Sequence, residues 1–126
     1  MPSRSFTSFA LGAGSIAADA ADTARWGYLL FGGQVIDSAI VTEMVADPQP
    51  EPNLGSYALG VMVSIDEQGT TMLGHAGGGL DLPYTGVLQV WTGDTPVAIA
   101  VLTPQPADFG ADIWSVFMQL RDIVAG

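Results

Sequence analysis

The chain has 126 residues and a formal net charge of −10, set by three arginines, no lysine and thirteen acidic residues, so it is sized for one domain and repels nucleic acid and anionic lipid. Because 48% of its residues are apolar and only 13% are charged, part of the outer surface must be apolar, a composition that favours burial against a partner. The absence of cysteine excludes disulfides and thiolate metal sites, and no uninterrupted apolar segment at the N-terminus reaches signal-peptide or membrane-spanning length, so a soluble cytoplasmic protein is expected.

Residues 1–18 are rich in Ser, Ala and Gly and read as an irregular lead-in. Asp19 then has the character of an N-cap, with Asp22 favouring the positive end of a helix that runs to about Phe31 and stops at Gly32-Gly33. A shorter helix is predicted from Ser38 to Ala46, with Ile40, Val41, Met44 and Val45 as its buried stripe, and the proline-rich run 47–53 ends it. From Tyr57 the period changes to two: Tyr57, Leu59, Val61, Val63 and Ile65 alternate with smaller residues, which predicts one strand with an apolar face. Glu67-Gln68-Gly69-Thr70 is a hairpin-type turn, after which Thr71 to His75 should return antiparallel and bring His75 roughly opposite Met62.

A second hairpin is predicted from Val87–Trp91 and Val97–Leu102 around Gly93-Asp94. The small face offered by Ala98 and Ala100 suits close approach of the terminal helix, Asp108 to Ala125, whose stripe is Ile113, Phe117, Leu120 and Val124. The expectation is a single α+β domain over residues 1–126, with helices against an antiparallel sheet of about four or five strands in the order α-α-β-β-β-β-α.

Several segments, each weak alone, occur together in order. They are Ala13-Gly14-Ser15-Ile16 with Asp22-Thr23-Ala24-Arg25-Trp26, then Gly32-Gly33-Gln34-Val35-Ile36-Asp37-Ser38, Tyr57-Ala58-Leu59-Gly60-Val61, and Gly74-His75-Ala76-Gly77-Gly78-Gly79. In this arrangement the chain resembles the C-terminal third of the serine β-lactamase and D-alanyl-D-alanine carboxypeptidase superfamily, most closely its class C-like branch. In that resemblance His75-Ala76-Gly77 corresponds to the tripeptide that edges the substrate groove. The resemblance also implies acyl-enzyme chemistry from a Ser-x-x-Lys and a Tyr-x-Asn element, and here the sequence departs: there is no lysine, and none of Tyr28, Tyr57 and Tyr84 is followed at the second position by Asn. A truncated member of such a fold exposes strand edges and apolar surface, which implies a homodimer or completion by a separate N-terminal chain.

A lone histidine is ordinarily a surface or satisfied loop residue, and His75 becomes a candidate catalytic and metal-binding residue through its place in the groove motif. Asp81, the nearest following carboxylate, is either a solvated turn residue or a group that orients His75 or binds a cation beside it. Two copies of His75 with nearby carboxylates, brought together in a dimer, would suit Zn²⁺ or Mn²⁺ with a position left for water, which the metal would convert to hydroxide. Gly77 and Gly78, with Gly79, are candidate N–H donors to substrate; Tyr84 is a candidate pocket residue, as is Trp91, although strand aromatics more often belong to the core. The functional expectation is a hydrolase acting on small neutral carboxylic esters or phosphotriesters through metal-activated water. The alternative is a non-catalytic remnant, or a split-enzyme fragment that requires another chain.

Overall fold

The computed structural model describes residues 16–52, 55–78, 85–104 and 110–125. Helix α1, Ala20–Phe31, begins where the Asp19 carboxylate accepts the Asp22 N–H at 2.8 Å, and it ends where Gly33 takes φ +70° and the Gln34 N–H returns to the Leu29 carbonyl at 2.9 Å. Helix α2, Ser38–Val45, is capped in the same way by Asp37, whose carboxylate accepts the Ala39 N–H at 2.8 Å. The first helix therefore starts at the aspartate the sequence marks, and Asp37 is a cap that the sequence reading does not name. Only Val41 of the α2 stripe is buried; Ile40 is exposed.

The strands are β1, Gln49–Glu51; β2, Gly55–Tyr57; β3, Met62–Ile65; β4, Thr71–Gly77; β5, Thr85–Trp91; and β6, Val97–Thr103. They form one six-stranded antiparallel sheet in sequential order, and helix α3, Gly110–Ala125, closes the described chain. The α+β class and the progression from two helices through the strands to a last helix are those expected.

Of the two additional strands, β1 lies in the proline-rich run 47–53 that was expected as a loop, and β2 arises where the sequence predicted one strand from Tyr57 to Ile65. Gly60 adopts φ +75°, the Ala58 N–H donates to the Val61 carbonyl at 2.8 Å, and the chain reverses. Tyr57 thus pairs with Met62 instead of lying five residues upstream of it on the same strand. The predicted alternation fails for the same reason: Leu59 and Ile65 are 65% and 69% exposed, while Val61 is 3% exposed. The hairpin at Asp66–Thr70 forms as expected, with the Asp66 carboxylate accepting the N–H groups of Gln68 and Thr70 and Gly69 at φ +85°. Its register places Gly74 directly opposite Met62, so that His75, the next residue, lies close to Met62 as expected.

Adjacent residues of β5 point to opposite faces, and each face receives a different helix. Val87 and Trp91, with Ile99 of β6, pack against Ile113 and Phe117 of α3. On the reverse face α1 approaches Leu88 and Val90 through Gly27, where an added Cβ would lie 2.9 Å from both Leu88 methyl carbons. Leu88 and Val90 pair with Ala100 and Ala98. The small face of β6 consequently belongs to α1, not to the terminal helix as predicted, because Gly27 is the residue that permits close approach.

The α3 stripe is also shorter than expected. Ile113 and Phe117 are buried, but Leu120 and Val124 are 37% and 53% exposed. No helix among the described residues is long and apolar enough to cross a membrane. Phe117 is the centre of the α3 face, stacked on Trp91 at 5.5 Å and 13° and met edge-on by Trp114. Phe117→Ala is therefore expected to remove about 3–5 kcal/mol of stability, read as a lowered midpoint in chemical denaturation; a loss below 1 kcal/mol would mean that α3 is not docked there.

Candidate functional site

The reversal at Gly60 and the β3–β4 register bring together two side chains that lie 18 residues apart. The Tyr57 hydroxyl is 2.7 Å from His75 Nε2, and the rings meet edge to face with centroids 5.6 Å apart. His75 Nδ1 lies 2.6 Å from the Ala76 carbonyl oxygen. A carbonyl only accepts, so Nδ1 carries the proton and donates; Nε2 then presents a lone pair in the neutral ring, and the Tyr57 O–H donates to it. Sequence, turn and register together fix a tautomer.

This hydrogen bond is exposed, and an exposed bond of this kind contributes only about 0.5–1.5 kcal/mol. It is too weak to set the register. The determinant is Gly74: an added Cβ would fall 2.0 Å from the Leu88 carbonyl oxygen and 2.9 Å from Gln89 Cα. Only glycine allows β4 and β5 this approach, with Gly74 opposite Gln89 and His75 opposite Leu88. Gly77 differs, since nothing lies within 4 Å of where its Cβ would be. Gly78 has φ +154°, a backbone conformation that L side chains rarely adopt.

His75, Gly77 and Gly78 are thus placed on one strand and its exit, with His75 in the described pair. Asp81, Tyr84 and Gly79 lie outside the described residues, as does Ser15. Trp91 is a core residue, 8% exposed and stacked on Phe117. Among the described residues no group of three or more His, Asp or Glu could hold a metal ion.

The residue that sequence reasoning missed is Tyr57, which was assigned only to the apolar face of a strand. Gly60 carried the signal, since a glycine read as a turn with positive φ puts Tyr57 beside Met62 and within reach of β4. Gln89, 5% exposed, is a second polar side chain in that row of the sheet, packed over the gap left by Gly74.

A groove of about 480 Å³ lies at the other end of the sheet, between the β3–β4 and β5–β6 turns and the end of α3, lined in part by Asp66, Asp94, Arg121 and Asp122. Neither Tyr57 nor His75 lines it. Arg121 is already engaged there by Asp122 at 2.7 Å. Volume alone favours this groove, but chemistry favours Tyr57–His75, the described pair in which a hydroxyl proton already points at a basic nitrogen.

The chain matches no family model, no curated protein and no solved structure.

Two outcomes test this geometry. Gly74→Ala should destabilise the fold by about 2–3 kcal/mol through overpacking against backbone, whereas Gly77→Ala should stay within about 0.5 kcal/mol; equal effects in denaturant melts would refute the close approach. Nitrogen NMR of the neutral imidazole should show a protonated Nδ1 and an unprotonated Nε2, with the Nε2 resonance shifting in Tyr57→Phe. A protonated Nε2 would overturn the assigned donor direction.

Proposed function

We propose that the protein is a hydrolase of small neutral esters, carboxylic esters or phosphotriesters, with Tyr57 and His75 as its working pair. The observation that carries this reading is the 2.7 Å contact from the Tyr57 hydroxyl to Nε2, with Nδ1 held by the Ala76 carbonyl. A hydroxyl that donates to a base oriented by a third group is the arrangement of an activated nucleophile.

In the proposed reaction, the Tyr57 oxygen forms a bond to the carbonyl carbon or phosphorus while its proton passes to Nε2. The bond to the leaving oxygen breaks, and that oxygen takes the proton from the imidazolium. Water then attacks the acyl- or phosphoryl-tyrosine, Nε2 accepts the water proton, and the same proton returns to Tyr57 as it departs. The Ala76 carbonyl stabilises the transient imidazolium. Gly78 lies three residues beyond His75, about 10 Å along an extended strand, which suits its N–H to a distal substituent of the substrate. A formal net charge of −10 disfavours anionic substrates and leaves neutral ones unaffected.

The water-activating Zn²⁺ or Mn²⁺ expected from sequence meets a specific obstacle, since Nδ1 faces Ala76 and Nε2 receives Tyr57. A divalent ion would bind Nε2 only if the hydroxyl left or became a ligand itself. The resemblance to the serine β-lactamase superfamily remains part of the proposal as a source of the groove position, with the tyrosine–histidine pair replacing its missing serine and lysine.

The deciding experiment measures turnover of a neutral aryl carboxylic ester and a neutral phosphotriester, with and without chelator. Tyr57→Phe and His75→Ala should each lower kcat/KM by about 10²–10⁴-fold, chelator should have no effect, and a quenched reaction should carry an acyl or phosphoryl group on Tyr57. Chelator-sensitive activity restored by Zn²⁺ or Mn²⁺ would replace the nucleophilic route by the metal route. No turnover of either substrate would reject the hydrolase and favour the non-catalytic fragment.

A further inference from the structure

The two edges of the sheet are built differently. At one edge, β1 is three residues long, contains Pro50 and Glu51, and is preceded by Pro48 and followed by Pro52. Proline removes donors and charge discourages stacking, so this edge is blunted against further strands. At the other edge, β6 is seven residues long, Val-Ala-Ile-Ala-Val-Leu-Thr, with no charge, proline or glycine. Its only strand partner among the described residues is β5. A long apolar strand with one side unpaired among the described residues is a template for another strand.

From this asymmetry we infer that the protein is a homodimer in which β6 pairs antiparallel with β6 of a second copy, joining two sheets into one of twelve strands. The sequence of β6 fits its own reverse. A two-fold axis through Ala100 engages all seven residues, with Ile99 beside Val101, Ala98 beside Leu102 and Val97 beside Thr103 of the other copy. Side chains fall on matching faces because each pair has the same parity. Leu102, 44% exposed beside its own Gly86, would gain an apolar neighbour at the small Ala98.

The helices fit the same axis. Helix α3 packs over β6 and β5, and α1 covers the same two strands on the other face. With strands about 4.8 Å apart, a helix lying over the β5–β6 gap would meet its twin at about 10 Å, close to ordinary helix packing distance. Val116 and Ile123, 45% and 77% exposed, lie on the flank of α3 turned away from Arg121 and supply apolar surface for that contact. The pairing separates the two His75 side chains by five strand spacings, about 24 Å. It therefore does not create the two-imidazole metal site expected from sequence, and it stands independently of the proposed hydrolysis.

The chain has no cysteine, so one introduced thiol reports the axis without ambiguity. Directly opposite residues of antiparallel strands have Cα atoms about 4.5–5.5 Å apart, within disulfide range. The purified full chain should sediment at twice its 13.0 kDa mass, and more completely as salt screens repulsion between two acidic copies. Ala100→Cys should cross-link on mild oxidation, while Gln68→Cys at the β3–β4 turn should not; Leu102→Lys, at an exposed position, should weaken the dimer at least about tenfold. Hydrogen exchange should show β6 amides protected in the dimer and faster in Leu102→Lys. A 13.0 kDa species at all concentrations would overturn the inference. So would a dimer whose β6 amides exchange freely and whose Ala100→Cys variant, folded by circular dichroism, forms no disulfide.

Discussion

The absence of one carbon atom governs the candidate site. At Gly74 the backbones of β4 and β5 approach so closely that a Cβ would collide with the Leu88 carbonyl. This approach fixes Gly74 against Gln89 on one side and Met62 on the other, and Met62 in turn fixes Tyr57. His75, the next residue, inherits its position from that row. The register thus brings Tyr57 and His75 to neighbouring positions, and their hydrogen bond is weak beside the steric constraint at Gly74.

The motif containing the only histidine therefore combines two roles that sequence alone does not separate. Its glycines look equivalent in a string of letters, yet Gly74 is demanded by backbone contact, Gly77 faces open space and Gly78 is set apart by its φ. A glycine-rich run invites a ligand explanation for every member. Here one member is explained by strand packing before any ligand is considered, and chemistry is left to the histidine and to the tyrosine that packing delivers.

Legibility from sequence followed the range of the interactions. The Asp19 cap and the turn ending at Thr70 were readable because a cap or turn is closed by groups within four residues. The β5–β6 hairpin was readable because two apolar runs flank Gly93-Asp94 and large and small residues alternate from Val97 to Val101. The segment from Tyr57 to Ile65 was not, since alternation continues through a reversal: the pattern that suggests one strand also fits two short strands joined at Gly60. That single ambiguity hid Tyr57 from the site. The choice of helix for the Ala98–Ala100 face was likewise a long-range matter, decided by the smallness of Gly27 on a helix some seventy positions earlier.

The exposed apolar surface links composition to assembly. An acidic chain with so few other charges must leave apolar groups at its boundary, and the described structure gathers many of them on α3 beside an unblunted strand edge. The opposite edge, with prolines and a carboxylate, shows that this sheet can protect an edge where contact is unwanted. Net charge opposes association of two copies over distances comparable to the Debye length, while strand pairing and apolar contact act only at close range. A β6 free of charge therefore lets the short-range attraction operate where long-range repulsion has no local group to reinforce it. The same separation of scales leaves Tyr57 and His75 away from the edge, on strands whose register is settled within one chain.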